Sequence, residues 1–161
     1  MTGILQANDT HGKPNVVQIG LIVRDVEATA QAYAAFLGVD VPEWSMTGPV
    51  EEARTRYRGE PTEARAKLAF FRLGNLQIEL IEPVGGPSTW REFLDAHGEG
   101  VHHIAFRLGT TDTVNAMHEQ VAALEAHGMR LVQRGDYTGG RYAYIDSSDQ
   151  LKVILELLEN D

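Results

Sequence analysis

The chain has 161 residues, 43% hydrophobic and 23% charged, which suits one soluble globular domain or two small modules sharing a core. Its net charge of −9 argues against nucleic acid and anionic membrane as principal partners, and its apolar stretches are strand-length, too short to span a bilayer. There is no cysteine, which excludes disulfides, thiolate zinc sites and cysteine nucleophiles and fits a cytoplasmic protein.

Residues 1–14 have no basic segment followed by an apolar run, so they read as a flexible lead-in, not a secretory signal. VVQIGLIV at 16–23 reads as a buried strand broken by one amide, Gln18. Asp25 is a candidate N-cap for the helix that follows. Val26, Ala30, Tyr33 and Leu37 recur there at helical spacing, and Gly38 sits where a C-terminal glycine belongs. VDV at 39–41 predicts a short strand. The stretch 46–66 reads as an insertion. It overlaps a basic cluster, since Arg54, Arg56, Arg58, Arg65, Lys67 and Arg72 are six of the fourteen basic residues. A solvated, arginine-rich loop is the simpler reading of that cluster; a rim that attracts an anionic substrate is the sharper one. KLAFFRL, a Gly74-Asn75 turn and LQIELIE predict a hairpin. The linker at 83–99 offers Ser88 or Thr89 to cap a short helix through Leu94.

From residue 100 the pattern repeats. VHHIAFRL at 101–108 echoes the first strand. Val114, Met117, Val121 and Leu124 make a second apolar stripe, ended by Gly128. MRLV at 129–132 is the next strand. RYAYI, an Asp/Ser-rich turn and LKVILELLE form the closing hairpin. The chain is thus written twice as strand–helix–strand–strand–strand, over 15–82 and 100–161. The expected class is α+β: two βαβββ modules forming a curved mixed sheet around a cleft.

When the halves are aligned, Gln18 falls on His103 and Glu79 on Glu156. Strand alternation turns Gln18, Gly20 and Ile22 to one face and Val17, Ile19, Leu21 and Val23 to the helix. It likewise separates His103, Ala105 and Arg107 from His102, Ile104, Phe106 and Leu108. A carboxylate buried without a partner is costly. Two at equivalent places, beside an amide and an imidazole, point to one divalent ion. The mixed N/O donor set Gln18, Glu79, His103 and Glu156 suits Zn, Ni, Co, Mn or Mg and makes the cleft a metal-binding one. His11, His97, His118 and His127 read as surface or helix-end residues, and Trp44 and Trp90 as packing.

These segments carry a resemblance. LQIELIEP, STWREFLDAHGEG, GVHHIAF, YTGGRYAYI and VILELLE are similar to the vicinal oxygen chelate (glyoxalase/bleomycin resistance/dioxygenase) superfamily, most of all to its methylmalonyl-CoA epimerases, over about residues 15–159. Where those epimerases carry a first-strand histidine, this chain has Gln18, which resembles the ligand set of the eukaryotic type of glyoxalase I. Lys67 stands near the position of the epimerases' second carboxylate, and YIDSSDQLKV replaces their HP-containing turn. The resemblance implies an epimerase or isomerase that moves a proton α to a carbonyl through a metal-stabilised enediolate. The substrate would be an acyl thioester or a polyhydroxy ketone. It implies Glu156 as base, with Glu79 the second candidate. Arg107, on the face of His103, would hold an anionic group, and Arg141 and Tyr144 would touch the substrate. A glyoxalase I-like lyase is the first alternative and a non-catalytic small-molecule-binding protein of the resistance type the second. An extradiol dioxygenase needs a histidine where Gln18 stands. A homodimer is the expected assembly.

Overall fold

The computed structural model describes residues 3–5, 14–108 and 116–161, so Val114 and His11 lie outside the described residues. The elements run β1 (Val16–Ile22), α1 (Val26–Leu37), β2 (Ser45–Met46), α2 (Val50–Ala53), β3 (Arg56–Tyr57), β4 (Glu60–Pro61), β5 (Arg65–Leu73) and β6 (Leu76–Val84). Then come α3 (Thr89–His97), β7 (Gly100–Arg107), α4 (Ala116–Ala126), β8 (Arg130–Tyr137), β9 (Gly140–Asp146), α5 (Ser148–Leu151) and β10 (Ile154–Asn160). The described strands form one mixed sheet in the order β2-β5-β6-β1-β7-β10-β9-β8-β3-β4.

The duplication is visible in the pairing. β1 runs parallel to β6, and β7 runs parallel to β10. The two halves meet where β1 and β7 pair antiparallel at the middle of the sheet. α1 begins as its sequence dictates: Asp25 accepts a hydrogen bond from the Ala28 amide at 2.9 Å, and Gly38 closes the helix at φ 69°. Its small apolar face, Val26, Ala30 and Ala34, packs on Ala69, Phe71 and Leu80. α4 covers the other half with Val121 and Leu124 against Ala143, Ile145, Leu155 and Leu157. Ile4 and Leu5, in the stretch expected to be a loose lead-in, pack against that same cluster.

VDV at 39–41 is not a strand. Val39 and Val41 are about half exposed, Pro42 removes a backbone donor, and pairing begins only at Ser45 and Met46, opposite Leu68 and Lys67. The insertion has a larger consequence. Met46 and Arg56 are ten residues apart, yet β2 and β3 lie eight strand steps apart in the sheet. Eight steps of about 4.8 Å laid flat would span roughly 38 Å. Ten fully extended residues reach at most about 36 Å, and the turn of helix at α2 shortens that further. The sheet therefore has to curl, with the segment from Thr47 to Thr55 crossing its open side as a strap. The strap is fastened on the far side by β3 pairing with β8, by an Arg54–Asp136 ion pair at 3.6 Å, and by Tyr57 and Arg58 on Glu92 of α3.

Candidate metal centre

The central strands set the site. On β1, Gly20 pairs with Glu79 of β6 on one side and His103 of β7 on the other, so these three residues form a row across the concave face. Glu156 of β10 joins from the next register position, opposite Ala105. Gly20 leaves the room the imidazole needs: a Cβ there would lie 2.0 Å from His103 Cε1. His103 Nε2 then sits 3.1 Å from Glu156 Oε2, 3.2 Å from Gln18 Oε1 and 3.5 Å from Glu79 Oε2. Gln18 Nε2 donates to Gln77 Oε1 at 2.7 Å, which turns the amide oxygen of Gln18 toward the imidazole. The structure thus brings together the amide, the imidazole and both carboxylates that the repeat alignment paired.

All four are buried, and neither Glu79 Oε2 nor Glu156 Oε2 has a hydrogen-bond partner of acceptable geometry. Burial pushes the Glu79 carboxyl up, to about 8, the negative charge of Glu156 adds to the rise, and His103 opposes it. For His103, burial favours the neutral ring, but the charges of Glu156 and Glu79 outweigh it and hold the imidazole above its ordinary value. Two carboxylates forced together out of water around one imidazole are frustrated without a cation. The ligand atoms of Glu79, His103 and Glu156 lie within 4.8 Å of one another, so this buried group can hold a metal ion. The donor set fits a borderline or hard divalent ion.

The alternation expected along β7 fails at one point. Consecutive residues Gly20 and Leu21 pair with His103 and Val101, so His102 is the extra residue of a β-bulge. Val101 turns outward, half exposed, and both histidines are buried. His102 meets His103 and Tyr144 edge-on, with ring centroids 5.3 and 5.1 Å apart, where strict alternation would have sent it to the opposite face. Burial, and then the neighbouring His103, hold His102 well below the ordinary histidine value. A second register shift on β1 falls at Val17, and Val17 lines the cleft although alternation assigned it to the helix side.

The row opens into a cleft of about 1060 Å³. Tyr144 lies in its wall, its ring tilted at 37° with its centroid 5.0 Å from that of His103, and its hydroxyl accepts a hydrogen bond from Trp90 Nε1 at 3.0 Å. Arg107 lines the cleft and donates to Asn160 Oδ1 at 2.7 Å. Arg141 is engaged elsewhere, by Glu159 and Asp161, and is not among the cleft-lining residues. The basic cluster resolves residue by residue. Arg54 and Arg58 pair with acids, Arg56 and Arg65 donate to the Gly59 and Thr47 carbonyls, and Lys67 pairs with Glu82 beside Trp44. Arg72 differs in reaching the cleft, with no ion pair among the described residues. Sequence reasoning passed over Gln77 and His102. Gln77 was within reach, since it lies two residues before Glu79 on one strand face; His102 was hidden by the bulge.

The geometry agrees with what the chain resembles. A family profile described as the Glyoxalase/Bleomycin resistance protein/Dioxygenase superfamily matches residues 17–144. The uncharacterized protein YqjC of Bacillus subtilis (strain 168) is 34% identical over 100 residues, covering 60% of this chain and 67% of that protein. Among solved structures, hypothetical protein BH1468 from Bacillus halodurans C-125 superposes with a TM-score of 0.63 at 20% identity, covering 92% of this chain and 95% of that one. Methylmalonyl-CoA epimerase from Mycobacterium tuberculosis superposes with a TM-score of 0.59 at 22% identity, covering 91% and 87%. A Streptomyces coelicolor methylmalonyl-CoA epimerase in complex with 2-nitronate-propionyl-CoA gives 0.57 at 24% identity, covering 90% and 96%. At these identities the structural likeness speaks to fold. With the profile spanning most of the sequence, the chain belongs to the glyoxalase/bleomycin resistance protein/dioxygenase superfamily.

Proposed function

We propose that the protein is a divalent-metal-dependent epimerase or isomerase that moves a proton α to a carbonyl. One observation carries the reading: two buried carboxylates in the wall of a large cleft, each with an Oε2 that has no hydrogen-bond partner, converge on one buried imidazole. Gln18, Glu79, His103 and Glu156 would hold the ion, which when bound would act as a Lewis acid and make the proton beside a substrate carbonyl more acidic.

The remaining work belongs to the side chains. Glu156 takes the proton as general base and returns it to the other face or to another carbon of the substrate, with Glu79 as the second candidate base. Tyr144 gives the reacting carbons an aromatic wall beside the His103 ring. Arg107 and Arg72, on β7 and β5, supply positive charge for an anionic group at the cleft. An acyl thioester is the substrate class we favour, in line with solved neighbours bound to methylmalonyl-CoA and 2-nitronate-propionyl-CoA. The Gln18 amide oxygen beside the imidazole favours one second reading, a glyoxalase I-like lyase acting on a thiol–aldehyde adduct.

The test combines metal analysis with proton exchange. The purified protein should carry close to one divalent ion per chain and catalyse exchange of a substrate α-proton with deuterated solvent. Glu156→Gln keeps an oxygen donor while removing the base, so exchange per bound metal should fall by about a hundredfold to ten-thousandfold. Exchange at the parent rate in a metal-loaded Glu156→Gln protein would remove Glu156 as base. A protein that holds no metal and exchanges no proton, yet binds an aromatic ligand tightly, would be a sequestering protein.

A further inference from the structure

The bulge on β7 places two imidazoles where an ordinary strand would place one. His103 presents Nε2 to Gln18, Glu79 and Glu156, while its other nitrogen, Nδ1, lies 3.0 Å from Nδ1 of His102. His102 is 1% exposed, and its ring is held between Phe93, at 5.4 Å, and Tyr144, at 5.1 Å, both edge-on. At that distance a hydrogen bond between the two rings needs one nitrogen to donate and the other to accept, which the tautomers decide. If His103 Nε2 is to offer a lone pair to a cation, its ring proton has to be on Nδ1, and His102 Nδ1 is then the acceptor.

We propose that His102 is a positioning residue for the metal centre: by accepting a hydrogen bond from His103 Nδ1–H it fixes the tautomer and ring angle that aim His103 Nε2 at the two carboxylates. Ligand histidines commonly give their second N–H to a carboxylate, a carbonyl or water, and that partner governs metal affinity. Here the partner is a neutral imidazole delivered by the adjacent residue. The bulge is what makes this possible, because neighbours on a regular strand point to opposite faces. A Leu or Phe at 102 could fill the volume but could not accept the proton.

The inference rests on the metal reading above, and two measurements separate the fate of each. The first is long-range proton–nitrogen NMR of the isotope-labelled full chain, which reports which ring nitrogen carries the proton. His103 Nδ1 should be protonated and His102 Nδ1 unprotonated, with and without zinc. The second is zinc affinity, by competition with a chromophoric chelator. His102→Leu should bind zinc about tenfold to a hundredfold more weakly. His102→Asn, whose Oδ1 stands near the place of Nδ1, should stay within a few-fold of the parent. An unprotonated His103 Nδ1 would overturn the proposal. So would a folded His102→Leu that binds zinc like the parent, or a His102→Asn that loses as much as His102→Leu. If the parent takes up no zinc, the metal reading fails, and the proton positions alone decide whether His102 orients His103. If His102→Leu does not fold, the parent spectrum and His102→Asn decide.

Discussion

At the scale of single residues, the site depends on an atom that is missing. Gly20 carries no Cβ, and the space is taken by the ring of His103, whose Cε1 would lie 2.0 Å from one. Gly20→Ala should therefore push the imidazole out of line while leaving both carboxylates in place. Overpacking of this kind costs about 1–3 kcal/mol, so the variant should fold with a lowered melting temperature and a marked loss of zinc affinity. A Gly20→Ala protein with parent zinc affinity would mean that the ring has another place to sit. The four proposed ligands were legible in the sequence because the chain repeats itself. Gln18 and His103, like Glu79 and Glu156, are polar exceptions at matching places in two apolar patterns, and burial makes such exceptions expensive. His102 was not legible, because alternation assumes a regular ladder and a bulge is a property of the pair of strands.

At the scale of elements, helices and long strands followed their local signals, and the insertion did not. Asp25, Gly38 and Ser88 announced the ends of α1 and the start of α3 by chemistry confined to a few residues. The residues at 46–66 have no such code for their partners. Arg56 and Tyr57 pair with Arg134 and Gln133, in the other half of the chain, a contact only the curled sheet makes available. Glu92 of α3 is one of the fastening points, accepting from the Tyr57 hydroxyl and from Arg58. Its carboxylate is about half exposed, and pairs of that kind contribute at most about 1 kcal/mol. Glu92→Ala should thus leave global stability nearly unchanged but speed limited proteolysis within residues 47–64. Cleavage at the parent rate would show that the β3–β8 pairing and the Arg54–Asp136 ion pair hold the strap without Glu92.

At the scale of the whole molecule, the acidic centre should make stability depend on pH in a direction that metal reverses. In the metal-free protein Glu79, near 8, and His103, raised, both keep protons that the unfolded chain would release. The stability tied to such groups is complete below the unfolded value, 4.5 for the Glu79 carboxyl, and is lost as pH rises through the folded one. Buried His102, held low, works the other way below its unfolded value of 6.5, so melting temperature in chelator should fall chiefly from about pH 6.5 to pH 8, at no more than about 1.4 kcal/mol per pH unit per group. Zinc-loaded protein should show a flat or rising profile over the same range, because ligands bind deprotonated. A metal-free protein that gained stability over that range would contradict the burial of these groups.

The same ten-strand sheet also has two ends, and each finishes in a strand of two residues, β2 at one and β4 at the other. A long open edge invites another chain to add its own strand, the first step toward aggregation. Without the insertion, the eight residues of β8 would be such an edge. Pairing the middle of it, Gln133 and Arg134, with β3 and ending on Glu60 and Pro61 leaves a last strand that is short, charged and short of one backbone donor, a poor template for further growth. Shortening the insertion to widen access to the cleft would therefore be bought with a loss of solubility.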